Sequence, residues 1–501
     1  MSEAPARRDL TILMALAGLR LALHLATARG YGVFGDELYY LACADHPAWG
    51  YVDQPPLSIA LLRLWRAAFG DSLLAIRVVP GLAGAATVFL TGWIARELGG
   101  GRAAQVLAAL AAFFAPFYLA VGHFYSMNAL DVVFWALLLG LAVRILVRGE
   151  PRLWPWFGLV AGLGLENKYS VGFLGFGVVV GLATTRARKH LLSPYLWAGG
   201  ALAALLFAPH LAWEARNGAP SLEFMKNATE LKNLPVTPLQ FLTGQLLLLH
   251  PLFAPLWLTG LGALLFAARF APVRALGIAY LALLALMIEQ KAKVYYLAPV
   301  YPLLFAAGAV VVARWRPTLI GGALVVAGLV GLPLALPVLE PERFLAYSAA
   351  LGVEEPQMER GPRARMPPQF GSMFGWRELA EEVARVYRAL PPEERARAAV
   401  LGRSYSEAGA IDYFGPALGL PRAISPHNSY WLWGPGGWDG AVLIVIGPLP
   451  DEVRAQFDSF DERGRRVCGY CKANESDLAI YVARGLRIPV SEAWPRFKHY
   501  E

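Results

Sequence analysis

Apolar stretches long enough to cross a lipid bilayer recur along the first two thirds of this 501-residue chain. A helix of roughly 20 apolar residues spans the hydrocarbon core, where no water is present to solvate an irregular backbone. The chain is 56% hydrophobic and 16% charged, whereas about a quarter of the residues of a soluble domain are charged. We therefore predict a polytopic α-helical membrane protein with about eleven transmembrane helices.

The predicted spans are separated by polar connections and end near residue 339. They cover residues 10–28, 73–98, 103–120, 129–147, 153–165, 169–184, 194–213, 246–268, 275–288, 294–313 and 318–339. The formal net charge of +8 does not indicate nucleic-acid binding, because the arginines concentrate between the spans. Membrane orientation accounts for arginines at such positions.

Every second connection is basic, and this alternation predicts the orientation. Short basic connections face the cytoplasm in membrane proteins. The basic residues are Arg7, Arg8, Arg96, Arg102, Arg148, Arg152, Arg186, Arg188, Lys189, Arg269, Arg274, Arg314 and Arg316. We therefore expect a multi-pass protein of the cytoplasmic (inner) membrane. The loop after the first span, residues 214–245 and the chain after Glu340 then face outward.

The composition changes at Glu340, where several prolines mark a linker. Helical and strand patterns alternate after it, as in a small layered domain. The patterns predict helices over 376–390 and 451–460, and strands over 398–401, 440–447 and 478–483. We therefore predict a transmembrane domain over 1–339 and an extracytoplasmic α/β domain over 340–501.

Cys468 and Cys471 form a CxxC motif in this second domain. One such pair without further Cys or His partners is a weak zinc signal. In an oxidising compartment the pair would form a disulfide, but two ordinary thiols fit the sequence equally well. The domain carries no Gly-rich phosphate fingerprint, so the sequence predicts no nucleotide site.

The loop after the first span, residues 30–56, is short and rich in acids. It carries Asp36, Glu37, Tyr39, Tyr40 and Asp53. Adjacent carboxylates at the end of a membrane span raise the free energy of the folded protein unless water solvates them or they serve a function. An ordinary solvated loop is one interpretation, and a catalytic loop at the membrane surface is the other.

The next segment, residues 57–69, predicts a helix that lies in the membrane interface. Pro56 suits its start and Gly70 its end. Its apolar residues share one face, and Arg63 and Arg66 lie beside that face. A short amphipathic helix of this kind rests on the bilayer rather than crossing it.

Further polar residues lie at the predicted outer ends of the spans. They are Asn128, Asp131, Lys168, Lys291, Lys293, Tyr295 and Tyr296. Each alone could be an interfacial anchor. Together they predict an outward-facing pocket that combines an acid/base group with cations for a phosphate leaving group. An aromatic loop that includes Asn428 could close over this pocket, although a packed aromatic turn explains it equally well.

Four segments resemble the membrane glycosyltransferases of the GT-C fold. They are Gly35–Tyr40 (GDELYY), Tyr51–Leu57 (YVDQPPL), His123–Asp131 (HFYSMNALD) and Lys291–Pro302 (KAKVYYLAPVYP). The spaced combination is similar to bacterial members of glycosyltransferase family 39, the group of protein O-mannosyltransferases and lipid A aminoarabinose transferases. The resemblance covers nearly the whole chain.

This resemblance implies a sugar donor carried on a polyprenyl phosphate and a glycan, lipid or protein acceptor, with no nucleic acid involved. The family's base role falls on Asp36, while Glu37 and Asp131 would assist it. Lys168, Lys291 and Lys293 are the candidates for the donor phosphate, and a divalent metal could share that task. The candidates for acceptor or sugar contacts are Tyr39, Tyr40, Asp53, Asn128, Tyr295, Tyr296 and Asn428.

Two other classes of protein remain open at this point. A transporter or flippase for a lipid-linked or polar substrate would also enclose charges, and it would carry an internal repeat or paired broken helices. A non-catalytic binding protein would have no need of acids at several span ends. A pocket open to lipid and to water, with Asp36 at its floor, would favour the enzyme.

Overall fold

The computed structural model describes residues 3–353 and 359–501. The first of these parts is almost entirely helical. Its α-helices are α1 (Glu3–Thr27), α2 (Gly35–Asp45), α3 (Leu57–Phe69), α4 (Leu73–Glu97), α5 (Arg102–Phe114), α6 (Pro116–Val121), α7 (Met127–Arg148), α8 (Trp154–Asn167), α9 (Ser170–Ala183), α10 (Pro194–Arg216), α11 (Pro220–Asn227), α12 (Pro238–Leu249), α13 (Ala254–Phe266), α14 (Arg274–Glu289), α15 (Tyr301–Val312), α16 (Pro317–Ala335) and α17 (Pro341–Ala350).

Among the described residues, seven helical segments are long and apolar enough to cross a membrane. They are Asp9–Thr27, Leu73–Glu97, Met127–Arg148, Pro194–Arg216, Ala268–Glu289, Val294–Val312 and Pro317–Ala335. Two further pairs, α9 with Arg186–Leu192 and α12 with Pro251–Phe266, bend by 116° and 90°; counted as spans, they bring the total to nine. The predicted multi-pass membrane architecture is confirmed.

Two of the eleven expected spans are short helices in the structure. The predicted span 103–120 divides at Ala115 into α5 and α6, because Pro116 has no N–H group to continue the helix. The predicted span 153–165 is α8, which has 14 residues, fewer than the roughly 20 that cross a bilayer. The sequence pattern therefore locates both helices, but it overstates the length of the first, since α5 ends at Phe114.

Small residues let several of the membrane helices pack with their backbones close together. Gly158 of α8 faces Gly199 of α10, where an added Cβ would lie 2.0 Å from the Gly199 oxygen. Gly308 of α15 faces α13 in the same way, with 1.9 Å to the Leu256 oxygen. A side chain at either position would push the two helices apart.

The second part of the chain contains one five-stranded sheet with the order β2-β1-β3-β5-β4. β1 pairs in parallel with β2 and β3, whereas β5 pairs antiparallel with β3 and β4. The strands are β1 (Ala398–Gly402), β2 (Ala423–Ile424), β3 (Val442–Ile446), β4 (Phe457–Val467) and β5 (Asp477–Leu486), and the helices are α18 (Pro368–Gly371), α19 (Trp376–Arg388), α20 (Pro392–Arg397), α21 (Tyr405–Phe414), α22 (Ser429–Trp433), α23 (Asp451–Arg454) and α24 (Val490–Ala493). The predicted α/β composition of this part is confirmed.

The helix expected over residues 451–460 is wrong in its second half. Only α23 is helical there, and β4 begins at Phe457. β4 pairs with β5 from Phe457 to Val467 and forms the edge of the sheet. β4 is an exposed edge strand that carries many charged side chains. In the sequence, such a run of charged residues resembles the polar face of a helix.

The two parts of the chain pack on each other through α2 and α21. Leu38 and Tyr39 of α2 share one buried apolar cluster with Ala408 and Ile411 of α21. The helices lie so close that a Cβ at Gly409 would be 2.9 Å from the Leu38 backbone. The loop 30–56 of the sequence analysis therefore contains a helix, and the α/β part covers it.

The CxxC pair forms a disulfide between Cys468 and Cys471, which resolves the alternative left open by the sequence. The bond closes the turn between β4 and β5. Lys472 follows it directly. Cys43 of α2 is a buried free thiol.

Candidate active site

Asp36 lies in the first turn of α2, at the point where the chain leaves the first span. A carboxylate is favoured there, because the N–H groups of a helix N-terminus carry partial positive charge. The side chain is partly exposed, and its Oδ1 accepts a hydrogen bond of 3.0 Å from the hydroxyl of Tyr405. Asp36 therefore remains accessible while a side chain from the α/β part orients it.

Glu37, the neighbouring acid, has a different environment. It is fully buried and forms a two-point ion pair with Arg77 of α4, at 3.0 and 2.8 Å. Its two oxygens also accept hydrogen bonds from the backbone N–H groups of Tyr125 and Phe34. The structure thus gives the Glu37 carboxylate four donors, which is the environment of a positioning residue rather than of a proton acceptor.

Asp53 forms a second acid–tyrosine pair beside Asp36. The hydroxyl of Tyr39 lies 2.7 Å from Asp53 Oδ1 and 2.7 Å from the hydroxyl of Ser429 in α22. Burial raises the pKa of Asp53 to about 6, and the hydrogen bond from Tyr39 and the charge of Lys232 oppose that rise. Asp36 is close enough for its charge to raise this pKa further.

The two acid–tyrosine pairs are in contact through their rings. Tyr39 and Tyr405 stack with their ring centroids 4.5 Å apart. Burial raises the pKa of Tyr405, and the charges of Asp36, Asp53 and Glu359 add to that effect. The structure therefore brings Asp36 and Asp53 together under Tyr405 and Ser429 of the α/β part.

Lys168 is the centre of a second polar cluster, at the start of α7 and the end of α8. Its Nζ donates a 2.7 Å hydrogen bond to Asn128 Oδ1 and lies 3.6 Å from Asp131 Oδ2. The same ammonium group lies over the rings of Tyr295 and Tyr296, at 5.8 and 5.3 Å from their centroids. Five residues that the sequence places at separate span ends therefore meet in one cluster.

Asp131 is almost completely buried in this cluster. Its Oδ1 accepts a hydrogen bond of 2.5 Å from Ser170 of α9. A backbone contact joins the cluster to α2, because the N–H of Met127 donates to the hydroxyl of Tyr40 at 3.1 Å. The start of α7 thus connects the Lys168 cluster to α2, the helix that carries Asp36.

Lys291 and Lys293 have different surroundings although they are close in sequence. Lys291 is exposed, and its backbone has a positive φ of 51°. Lys293 is mostly buried, and its Nζ lies 2.6 Å from Glu359 Oε1. Of these two lysines, Lys293 is therefore the one that already holds a carboxylate.

Asn428 is fully buried and binds the end of the described chain. Its Oδ1 accepts from the Glu501 N–H at 3.2 Å, and its own N–H donates to the His499 oxygen at 2.9 Å. The Nδ2 group has no hydrogen-bond partner among the described residues. The neighbouring Ser429, rather than Asn428, makes the contact to Tyr39.

Comparison with known proteins gives a family match and a fold match. The family described as dolichyl-phosphate-mannose-protein mannosyltransferase matches residues 53–213. ArnT from Cupriavidus metallidurans, crystallised with undecaprenyl phosphate, superposes with a TM-score of 0.60 over 94% of this chain and 97% of that chain, at 14% identity. The apo form of the same ArnT superposes with a TM-score of 0.60 over 99% of this chain and 100% of that chain, at 15% identity.

The chain has the GT-C fold. A further fold match is the apo oligosaccharyltransferase of Archaeoglobus fulgidus, with a TM-score of 0.51 at 13% identity, over 83% of this chain and 64% of that chain. No curated protein sequence is significantly similar to the chain. The resemblance to GT-C glycosyltransferases is confirmed by the family match and the shared fold.

Several residues of this GT-C site escape reasoning from the sequence. Tyr405 and Ser429 come from the α/β part, and Arg77 comes from near the start of α4. Tyr405 opens a helix directly after the buried strand β1, a position that often carries functional side chains in α/β sheets. The position of Tyr405 directly after a predicted strand is therefore the one feature of the sequence that could have indicated its role.

Metal ligation was left open by the sequence analysis. A metal site of three or more clustered His, Cys, Asp or Glu side chains does not occur within residues 3–353 and 359–501. The acids of the site occur instead as Asp36 with Tyr405 and Asp53 with Tyr39, each acid hydrogen-bonded to one tyrosine hydroxyl.

Proposed function

We propose that this GT-C protein transfers a sugar, a hexose or a pentose, from a polyprenyl-phosphate donor to an acceptor at the outer face of the membrane. The observation that carries the proposal is the partly exposed Asp36 carboxylate, held by Tyr405 at the point where the chain leaves the membrane. The undecaprenyl phosphate bound to the ArnT of similar fold supports a polyprenyl carrier.

The transfer needs one base and one set of cations. Asp36 would take the proton from the acceptor hydroxyl as that oxygen attacks the anomeric carbon. The bond between the anomeric carbon and the phosphate oxygen breaks, and the lipid phosphate leaves as an anion. Because its charge grows during the reaction, nearby ammonium groups stabilise the transition state more than the bound substrate.

The lysines near the site suit this second task. Lys168 and Lys293 are mostly buried, and a charge that is largely shielded from water acts more strongly than one in water. Asp131 and Asn128 would hold the Lys168 ammonium in place. Tyr295, Tyr296 and the Tyr39–Asp53 pair would contact the sugar or the acceptor, and Lys291 would act only at the rim.

The test replaces Asp36 and uses a matched acid on the same helix as control. Asp36→Asn keeps the shape of the side chain and removes its basicity, so turnover should fall by about 10²–10⁴-fold. Asp45→Asn, at the far end of α2 and in an exposed pair with Arg66, should retain most activity. The measurement is release of polyprenyl phosphate from a panel of polyprenyl-phosphate sugars, per folded molecule in nanodiscs.

Near-normal turnover of Asp36→Asn would contradict the base assignment and move it to Glu37 or Asp131. Failure of the wild-type protein to release lipid phosphate from every donor, while it equilibrates such a lipid across a vesicle membrane, would contradict glycosyl transfer and favour a flippase.

A further inference from the structure

Two segments that are distant in sequence pair beside the site. Glu359 forms an isolated antiparallel bridge with Asn233, and the N–H of Arg360 donates to the Lys232 oxygen at 2.8 Å. This pairing fixes the backbone of Glu359 next to that of Lys232. Lys232 belongs to the long connection between α10 and α12, so the contact joins the membrane part to the start of the α/β part.

One lysine contacts the Glu359 carboxylate, and the charges of two others act on it. Lys293 lies 2.6 Å from its Oε1. Partial burial would raise the pKa of Glu359, but the charges of Lys293, Lys232 and Lys472 lower it below its usual value. Glu359 itself is about half exposed. The Glu359 carboxylate is therefore partly exposed, held by the Lys293 ammonium group and influenced by the charges of Lys232 and Lys472.

Lys472 and Lys232 also interact electrostatically with the acids of the candidate site. Burial would lower the pKa of Lys472, but the carboxylates of Glu475, Asp36 and Glu359 raise it. The charge of Lys232 likewise acts on Asp53, and the charges of Asp36 and Glu359 both act on Tyr405. The carboxylates of Glu359 and Asp36 thus both act on Tyr405 and on Lys472.

We propose that Lys232, Lys293 and Lys472 form a binding site for the phosphate of the lipid carrier, and that Glu359 occupies this site as an internal competing anion. The proposal rests on the proposed function. A lipid phosphate carries at least the charge of a carboxylate and more acceptor oxygens, so it can displace Glu359. Glu359 would keep the lysines charged and in place when no donor is bound.

A structural role for the Lys293–Glu359 pair predicts a different outcome. If the pair only ties the two segments together, Glu359→Gln lowers the melting temperature and leaves anion affinity unchanged or reduced. If Glu359 competes with the ligand, Glu359→Gln raises the affinity, because the lysines no longer have to release a charged partner.

The experiment measures binding of undecaprenyl phosphate to the full chain in nanodiscs, with melting temperatures recorded in parallel. We expect Glu359→Gln to bind about three- to tenfold more tightly than wild type, and Lys232→Met and Lys472→Met to bind about tenfold more weakly, as loss of one charge-assisted hydrogen bond predicts. Glu340→Gln is the matched control, since Glu340 forms an exposed pair with Arg343 and should bind as wild type does.

Equal or weaker binding by Glu359→Gln overturns the proposal while leaving the proposed function intact, provided that the wild-type protein binds the lipid. Unchanged affinity in both lysine variants also overturns it. Glu359→Ala is the second variant if the glutamine form proves unstable. A wild-type protein that binds no polyprenyl phosphate contradicts the proposed function and this inference together.

Discussion

Asp36 and Glu37 are neighbours in the sequence, yet the fold assigns them different environments. Glu37 meets Arg77, which lies 40 residues away, and Asp36 meets Tyr405, which lies 369 residues away. The sequence can predict that an acidic pair at the end of a span belongs to a functional site. It cannot divide the roles between the two acids, because the partners that decide the question come from remote segments.

Asp53 gives a prediction of pH dependence at the same scale. Its pKa is raised by burial to about 6 in the folded protein, against about 3.9 in an unfolded chain. The folded state therefore binds more protons at this site between these two values, so stability increases as the pH falls from about 6 to about 4 and decreases as it rises. Asn cannot be ionised and resembles the protonated acid.

Asp53→Asn should therefore melt at a higher temperature than wild type at pH 7.5, and the difference should shrink towards pH 4. The measurement is the melting temperature of both proteins in nanodiscs across this range. A constant difference at all pH values would mean that Asp53 does not titrate as described.

Helix α2 is held from two sides, by α4 through an ion pair and by α21 through apolar packing. Glu37 and Arg77 are both fully buried, so removal of one charge leaves the other buried without compensation. Loss of one partner of a buried pair costs about 3–5 kcal/mol. Asp36 in turn depends on this anchor, because it lies one residue from Glu37.

Glu37→Gln should therefore lower stability strongly, while turnover per folded molecule should fall far less than in Asp36→Asn. Glu150→Gln is the matched control, since Glu150 pairs with Arg144 and both side chains are 37% exposed, and loss of such a pair costs about 1 kcal/mol or less. Melting temperature and turnover per folded molecule are the two readouts. A stable Glu37→Gln protein with abolished turnover would assign Glu37 to the chemistry.

At the scale of the whole molecule, the sequence predicts the positions of helices and strands along the chain better than it predicts how the two parts pack together. Apolar runs locate the spans, and strand patterns locate β1, β3 and β5, because both signals are local in the chain. The covering of α2 by the α/β part could not be predicted, since it depends on contacts such as Leu38 with Gly409. The contacts of Tyr405 with Asp36 and of Ser429 with Tyr39 are a consequence of that covering.

The orientation of the molecule in the membrane is the remaining whole-molecule prediction. The alternating basic connections predict that the site and the α/β part lie on the outer face. A single cysteine introduced at Asp451, whose side chain is 95% exposed, should therefore react with a membrane-impermeant maleimide in intact spheroplasts. A cysteine at Arg188, an exposed residue of a basic connection, should react only after the membrane is opened.

The native cysteines leave a low background for this measurement, because Cys43 is buried and Cys468 is bonded to Cys471. Labelling at Arg188 but not at Asp451 in intact spheroplasts would reverse the orientation. The acceptor and the lipid donor would then have to meet on the cytoplasmic face. The disulfide, which requires an oxidising compartment to persist, supports the outward assignment independently of the arginines.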